Sequence, residues 1–394
     1  MKAVVLGAGG LGRTIALELA ADRRVNEVVI VDRRGDRARA LQSIGRNVSV
    51  TALQVEVSDP ASLRRALAGA DVAVNATLPD HNLAIMRGCL DAGCGYTDTS
   101  GAAPIEPGER SGVLEQLDLD DAWRDRGLAA IVSMGSDPGL SNVMARIAAD
   151  RFMRIKDIRI RWAASGSPRI EGYPLYSREM FIRDALSRPI VWDGGKVVER
   201  EIASEVEEFE FPPPVGRRAV HLFGHEEVLT LPVRLGKPIG HVDYKHAIDP
   251  NLTRAVSELN ALGLLSGDRR IRIGDRALSF REAFLATFPE PSTLIGPLEG
   301  TLVILVEVTG TRSDGGEGTL RVWTMLEHRE ANRRRGTTSE YFLTAASAST
   351  ALILIGTGKA PRPGVLAPEE LPPEIVLPDL EARGIRFQSE ERAA

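Results

Sequence analysis

The sequence predicts an α/β protein: a doubly wound parallel Rossmann sheet, plus an inserted α+β domain with a mainly antiparallel sheet. Three observations predict it. Short apolar β runs alternate with helical stretches through the first 135 residues, the pattern of a parallel sheet with helices on both faces. Gly7-Ala8-Gly9-Gly10-Leu11-Gly12 lies between the first of those runs and the first helix, the context that gives a glycine fingerprint its meaning. Later in the chain, residues 301–310 and 318–327 read as two strands joined by Ser313-Asp314-Gly315-Gly316, a hairpin. A chain of 394 residues is too long for one core. The expected division is a dinucleotide-binding domain over 1–135, completed by 345–394, and a substrate-binding and dimerisation domain over 136–344.

The elements follow in order. Lys2-Ala3-Val4-Val5-Leu6 is a strand, and an amphipathic helix follows from about Arg13. Residues 27–31 form a second strand that ends at Asp32, and 34–45 read as helix. Residues 48–57 are strand-like, and Ser58-Asp59-Pro60 opens a helix because a capping side chain precedes a proline. Asp71-Val72-Ala73-Val74-Asn75 is the fourth strand, and residues 81–92 form a helix stopped by Gly93. Tyr96-Thr97-Asp98 and residues 128–132 complete the alternation. In the second part, 157–163 and 227–233 read as strands, and Glu207, Phe209 and Phe211 alternate. Helices are expected over 178–186, 252–262 and 280–286, with a buried Ala- and Leu-rich helix over 344–355. The proline-rich tail from Pro361 is expected to return to the first domain.

Composition excludes several classes. Apolar residues make up 43% and charged residues 26%, with a net charge of −5, an ordinary globular balance that offers nothing to a polyanion. Two cysteines, Cys89 and Cys94, are too few for a disulfide framework and fit a reducing cytoplasm. They read as packing residues. The six histidines form no metal-binding spacing, so no metal is expected. No apolar run approaches the roughly 18 residues needed to span a bilayer. The expected partners are small molecules and a second copy of the chain, with neither nucleic acid nor membrane.

Ligands of doubly wound sheets bind at the carboxyl ends of the strands. That rule gathers the glycine loop, Asp32, Asp59, residues 75–79, residues 98–100 and residues 133–138 around one crevice. Gly7 lets the chain turn, Gly9 lets the backbone approach a pyrophosphate, and Gly12 permits close helix–strand packing. Gly10 and Leu11 belong to the loop that leads into the helix whose free N–H groups face the phosphates. Asp32 stands where a carboxylate holds a ribose 2′-hydroxyl. This favours NAD, although Arg33 and Arg34 would also suit the 2′-phosphate of NADP. Asn75, Ala76, Thr77 and Ser100 are further cofactor candidates from the strand ends.

These motifs resemble the saccharopine dehydrogenase-like family over nearly the whole chain. The resemblance rests on the glycine loop and on Asp71-Val72-Ala73-Val74-Asn75-Ala76-Thr77-Leu78-Pro79. It also rests on Gly95-Tyr96-Thr97-Asp98-Thr99-Ser100, Gly135-Ser136-Asp137-Pro138-Gly139-Leu140-Ser141-Asn142 and a closing stretch over 356–371. Gly224-His225-Glu226-Glu227 resembles a His-x-Glu segment of the lysine 6-dehydrogenase branch. The resemblance implies NAD(P)-linked chemistry at a C–N bond of an amino acid or polyamine, with a lysine-like substrate expected. It leaves open saccharopine-type or carboxynorspermidine-type condensation, a homospermidine synthase-type transferase and a non-catalytic nucleotide sensor.

Chemistry at a C–N bond needs a group that titrates near neutrality. His225, beside Glu226 and Glu227, is the first candidate, since adjacent carboxylates would hold its imidazolium. Asp98 would attract a substrate ammonium or relay a proton. Tyr244 and Lys245 alternate along a strand, and Lys245 would hold a substrate carboxylate. Arg178 is the expected carboxylate fork, a choice that rests on its family-like position, and Pro138 belongs to the substrate wall.

Overall fold

A computed structural model describes residues 1–45, 48–101, 110–165, 175–267, 269–288, 290–291 and 298–392. The chain begins β1 (Lys2–Leu6), α1 (Gly10–Ala20), β2 (Glu27–Asp32), α2 (Gly35–Ala40), β3 (Ser49–Gln54), α3 (Pro60–Leu67), β4 (Val72–Asn75), α4 (Asn82–Ala92) and β5 (Gly95–Asp98). It continues with α5 (Gly112–Leu117), α6 (Asp120–Asp125), β6 (Ala129–Ile131), α7 (Leu140–Ala149), β7 (Arg154–Ala164), α8 (Arg178–Leu186), β8 (Ile190–Asp193) and β9 (Lys196–Glu199). Then come β10 (Glu207–Glu210), β11 (Arg217–Leu222), α9 (Glu227–Arg234), β12 (Ile239–His246), α10 (Pro250–Ala261), β13 (Arg270–Ile273), β14 (Arg276–Ser279) and α11 (Phe280–Ala286). The last elements are β15 (Thr301–Thr311), β16 (Glu317–Glu327), α12 (His328–Arg335), α13 (Ser339–Gly356), β17 (Gly364–Leu366), α14 (Pro373–Ala382) and β18 (Gln388–Arg392).

The first sheet has the order β17-β6-β5-β4-β1-β2-β3, and every pair in it is parallel. Ala3, Val4, Val5 and Leu6 of β1 are all fully buried, as a strand covered on both faces must be. One face packs on Leu63, Ile85, Met86 and Trp123. The other packs on Ile15 and Leu19 of α1 and on Ala345, Ala348 and Leu352 of α13. The small alanines let α13 lie close beneath the sheet. Thr338 caps that helix by accepting from the Tyr341 N–H at 3.3 Å.

The second sheet has the order β10-β11-β12-β7-β15-β16-β18, with β8 and β9 attached at β12. Its pairs are antiparallel apart from β12 with β7. The long β15–β16 hairpin runs from Thr301↔Glu327 to Thr311↔Glu317, close to the strands expected there. No helix among the described residues is long and apolar enough to cross a membrane.

Two expectations fail. Residues 227–233, expected as a strand, form α9, whose buried residues Glu227, Val228, Thr230 and Leu231 follow the helical period. A short apolar run does not separate the two periods. The tail completes the first sheet through β17 but not to its end: β18 pairs antiparallel with β16 of the second sheet, from Trp323↔Gln388 to Thr319↔Arg392.

Candidate active site

The cofactor cradle is set by close backbone approach. Gly7 has φ +108°, and a Cβ there would lie 2.7 Å from the Ala76 carbonyl oxygen. A Cβ on Gly12 would lie 1.8 Å from the Gly7 carbonyl oxygen, so α1 can leave β1 at this angle only without a side chain. The helix N-cap is Gly9, with no side-chain cap and no acid in the first turn. Its first N–H groups therefore have no acidic side chain competing for them. Gly9, Gly10 and Leu11 line the cavity, which suits a pyrophosphate.

Asp32 accepts from the Ala8 N–H and the Arg34 N–H, both at 2.8 Å. One bond to each oxygen leaves lone pairs for ribose hydroxyls, and Arg33 and Arg37 line the same rim. Asn75 accepts from the Thr77 N–H at 2.9 Å and hydroxyl at 2.6 Å, and donates to Asn82 at 2.6 Å. It shapes the turn on which Ala76 and Thr77 face the cavity. Asp59 is not in the cradle. It caps α3 by accepting from the Ser62 N–H at 3.0 Å, because β3 stops at Gln54 and the cavity is lined there by Val55, Glu56 and Val57. Asp32→Ala is expected to weaken NAD binding about tenfold, the loss of one charge-assisted hydrogen bond, and NADP binding less. Fluorescence titration of both dinucleotides checks it, and an equal loss for both would refute this role for Asp32.

The cradle opens into a cavity of about 450 Å³ that reaches the second sheet. There His225 lies flat against Tyr244, with ring centroids 3.7 Å apart and planes 6° apart, and its Nδ1 meets Glu227 at 2.6 Å. Burial opposes the charge on His225, but Glu227, with Asp137 and Asp184, raises its pKa to about 9. The ring is therefore an imidazolium at neutral pH. Burial pushes the Asp137 and Asp184 carboxyls up to about 6. Each takes an aromatic donor: Tyr244 donates to Asp137, and Tyr176 donates to Asp184 at 2.9 Å. Glu340, also buried, takes a hydrogen bond from Trp162 and titrates well above the usual range through burial and the neighbouring Asp137. His246 stacks on Trp162 at 3.8 Å and accepts from the Ile248 N–H at Nδ1. Burial, with His221 and His225 nearby, pushes its pKa well down. It is neutral, with its proton on Nε2.

Other candidates serve the frame. Glu226 accepts from the Ser100 hydroxyl at 2.9 Å, the Gly101 N–H at 2.8 Å and the Ser133 hydroxyl at 2.9 Å. Both its oxygens are engaged across the boundary between the two sheets. Burial raises its pKa to about 7. Asp98, only 1% exposed, accepts from the Ser133 N–H at 2.7 Å and the Gln116 amide at 2.5 Å. It ties the ends of β5 and β6 together, where Ser133 has φ +55°. Ser100 and Pro138 line the cavity.

Two expected substrate residues are elsewhere. Lys245 alternates away from Tyr244, and its Nζ donates to the Glu205 carbonyl at 2.8 Å and lies 3.4 Å from Glu207. Arg178 stands behind the wall, bonded to the Leu285 and Phe288 carbonyls at 2.8 and 3.2 Å and paired with Glu290 at 3.1 Å. Its fork fastens the end of α11. Asp137, Asp184, Tyr176, Trp162 and Glu340 were not singled out. Asp137 alone carried a signal, its place in the strand-end segment 133–138.

Residues 3–131 match the saccharopine dehydrogenase NADP binding domain, and residues 135–385 match the saccharopine dehydrogenase C-terminal domain. The chain belongs to the saccharopine dehydrogenase family. It is an NAD(P)-dependent dehydrogenase of C–N bonds. Carboxyaminopropylagmatine dehydrogenase of Synechocystis is 25% identical over 389 residues, 98% of this chain and 96% of that one. Carboxynorspermidine synthase of Vibrio cholerae is 25% identical over 402 residues, with coverage of 98% and 96%. Saccharopine dehydrogenase (L-Glu forming) of Saccharomyces cerevisiae shares the fold, with a TM-score of 0.74 at 15% identity and full coverage of both chains. Homospermidine synthase of Legionella pneumophila in complex with NAD shares it with a TM-score of 0.70 at 16% identity, covering 100% of this chain and 92% of that one.

Proposed function

We propose that this enzyme joins a cationic amine to an aldehyde by NAD(P)H-dependent reduction of the imine between them, giving a carboxylated polyamine. One observation carries the reading. The substrate end of the cavity is walled by Asp137, Asp184 and Glu340, each with an aromatic hydrogen-bond donor. Among the described lining residues the only Arg or Lys side chains are Arg33 and Arg37, at the Asp32 end. Buried acids and aromatic faces both attract cations, so the wall suits a polycation better than a lysine-like zwitterion. The names of the two relatives support this, since each describes an amine with a carboxylated arm.

The residues divide the work. Asp137 and Asp184, titrating near 6, take the proton that an entering ammonium must lose before its nitrogen attacks the aldehyde carbon. The His225 imidazolium, held by Glu227, protonates the hydroxyl that leaves as water when the carbinolamine becomes an iminium. Bound NAD(P)H supplies the hydride for the iminium carbon. Aldehyde, amine, NAD(P)H and one proton thus give secondary amine, water and NAD(P)⁺. Glu226 keeps the two halves of the site together and excludes water.

The test is initial-rate NAD(P)H consumption with 1,3-diaminopropane or agmatine and aspartate semialdehyde, across pH. Below their pKa values the acids are protonated and lose their pull on the amine. KM for the amine is therefore expected to fall several-fold as pH rises through about 6 to 7, and kcat to fall above about 9 as His225 loses its proton. A KM that stays flat or rises over that first interval would contradict the acidic wall.

A further inference from the structure

We propose that Arg183 is the clamp for the carboxylate of the substrate's arm, and that Asp80 occupies it until the substrate arrives. The inference rests on the reading above, because that product carries a carboxylate and, among the described lining residues, the cavity offers it no Arg or Lys beyond the Asp32 end. Arg183 belongs to α8, between the lining residues Met180 and Asp184. Asp80 lies between the lining residues Pro79 and His81 on the opposite side. The two meet fork to fork beside these lining residues, Nη1 to Oδ2 at 2.7 Å and Nη2 to Oδ1 at 3.0 Å. This is the geometry in which a guanidinium binds any carboxylate.

Three features separate this pair from an ordinary surface bridge. It joins the first half of the chain to the second, next to residues that line the cavity. Its acid is half exposed, 51% against 24% for the arginine side chain, so Asp80 is the partner free to leave. The Arg183 Nε is buried and has no hydrogen-bond partner among the described residues, so Asp80 engages only the two exposed-side nitrogens of the fork. The arginine's charge also reaches Asp184, which lies against the amine site. A carboxylate at Arg183 would thus sit one residue from the wall that holds the ammonium groups. Because an exposed pair contributes little on its own, exchanging Asp80 for a substrate carboxylate costs little.

The test compares aspartate semialdehyde with 3-aminopropanal, its decarboxylated counterpart, using the full chain with NAD(P)H and a fixed diamine. Arg183→Gln is expected to raise KM for aspartate semialdehyde about 30-fold relative to KM for 3-aminopropanal, the loss of a bidentate charged contact. Asp80→Asn should lower KM for aspartate semialdehyde by about threefold, since a competitor of surface-pair strength is removed. Equal changes for both aldehydes, or none, would overturn the clamp. If the parent takes lysine instead, the substrate reading fails, yet the clamp still requires Arg183→Gln to lose lysine relative to cadaverine. If the parent takes only amines and aldehydes without carboxylates, the clamp is overturned.

Discussion

His225→Gln is expected to lower kcat by roughly 100- to 1000-fold, the usual worth of a positioned proton donor, while dinucleotide affinity stays within about twofold because the ring is outside the cradle. The size follows from the surroundings of the ring. Glu227 is fully buried and divides its carboxylate between His225 and the Ser141 hydroxyl, at 2.6 and 2.7 Å. It holds the imidazolium charged to a pKa of about 9, so at neutral pH nearly every molecule carries the proton that the departing hydroxyl needs. Glutamine keeps a donor for Glu227 but has no proton to give. The alkaline limb near 9 should vanish from the pH profile of the variant. Glu227→Gln is the companion variant. Without that carboxylate, burial wins and the alkaline limb should move down toward the ordinary histidine range. Dinucleotide titration and thermal melting confirm that each variant is folded. A full-rate His225→Gln, or an unmoved limb in Glu227→Gln, would remove the histidine from the chemistry.

Gly12→Ala is expected to abolish measurable dinucleotide binding and to cost about 3 kcal/mol of stability, the upper part of the range for overpacking a close contact. The added Cβ would stand 1.8 Å from the Gly7 carbonyl oxygen and 3.4 Å from the Ala76 side chain. The first of these is backbone and cannot swing aside, so β1 and α1 must part, and the phosphate cradle is built at their junction. Gly9→Ala is the control. Nothing stands within 4 Å of its added Cβ, so stability should change by no more than about 1 kcal/mol, the ordinary cost for a glycine. Its methyl would still enter the cavity that Gly9 lines and weaken dinucleotide binding. Equal melting temperatures for Gly12→Ala and the parent would contradict this packing.

The first half of the site was legible because it is local. A glycine loop, an acid at the end of the next strand and a polar turn after β4 lie on consecutive strand–helix units, and a parallel sheet must bring them to one edge. The second half was legible only where chain neighbours coincide with space neighbours, as His225 and Glu227 do. Asp137, Asp184 and Glu340 come from the turn before α7, from α8 and from α13, and no spacing in the sequence announces that they share a chamber. Arg178 shows the converse. An arginine in a promising segment is bonded to the Leu285 carbonyl, while Arg183, five positions further along the chain, pairs with Asp80 of the first half. Lys245 was lost to strand alternation, which places Tyr244 in the site and sends its neighbour to the other face. The run 227–233 misled because a short apolar stretch supports both periods, and the acids that begin it fit a helix start.

The central claim is that the cavity takes a polycationic amine rather than lysine. It is tested most directly by the ratio of two kcat/KM values, both followed as NAD(P)H consumption. One is for 1,3-diaminopropane or agmatine with aspartate semialdehyde, and the other is for lysine with 2-oxoglutarate. The acidic wall predicts a ratio of about 100 or more in favour of the diamine pair, the discrimination available when a charged group meets a site built to pair it. A ratio below one, or no NAD(P)H consumed with any diamine, would contradict it.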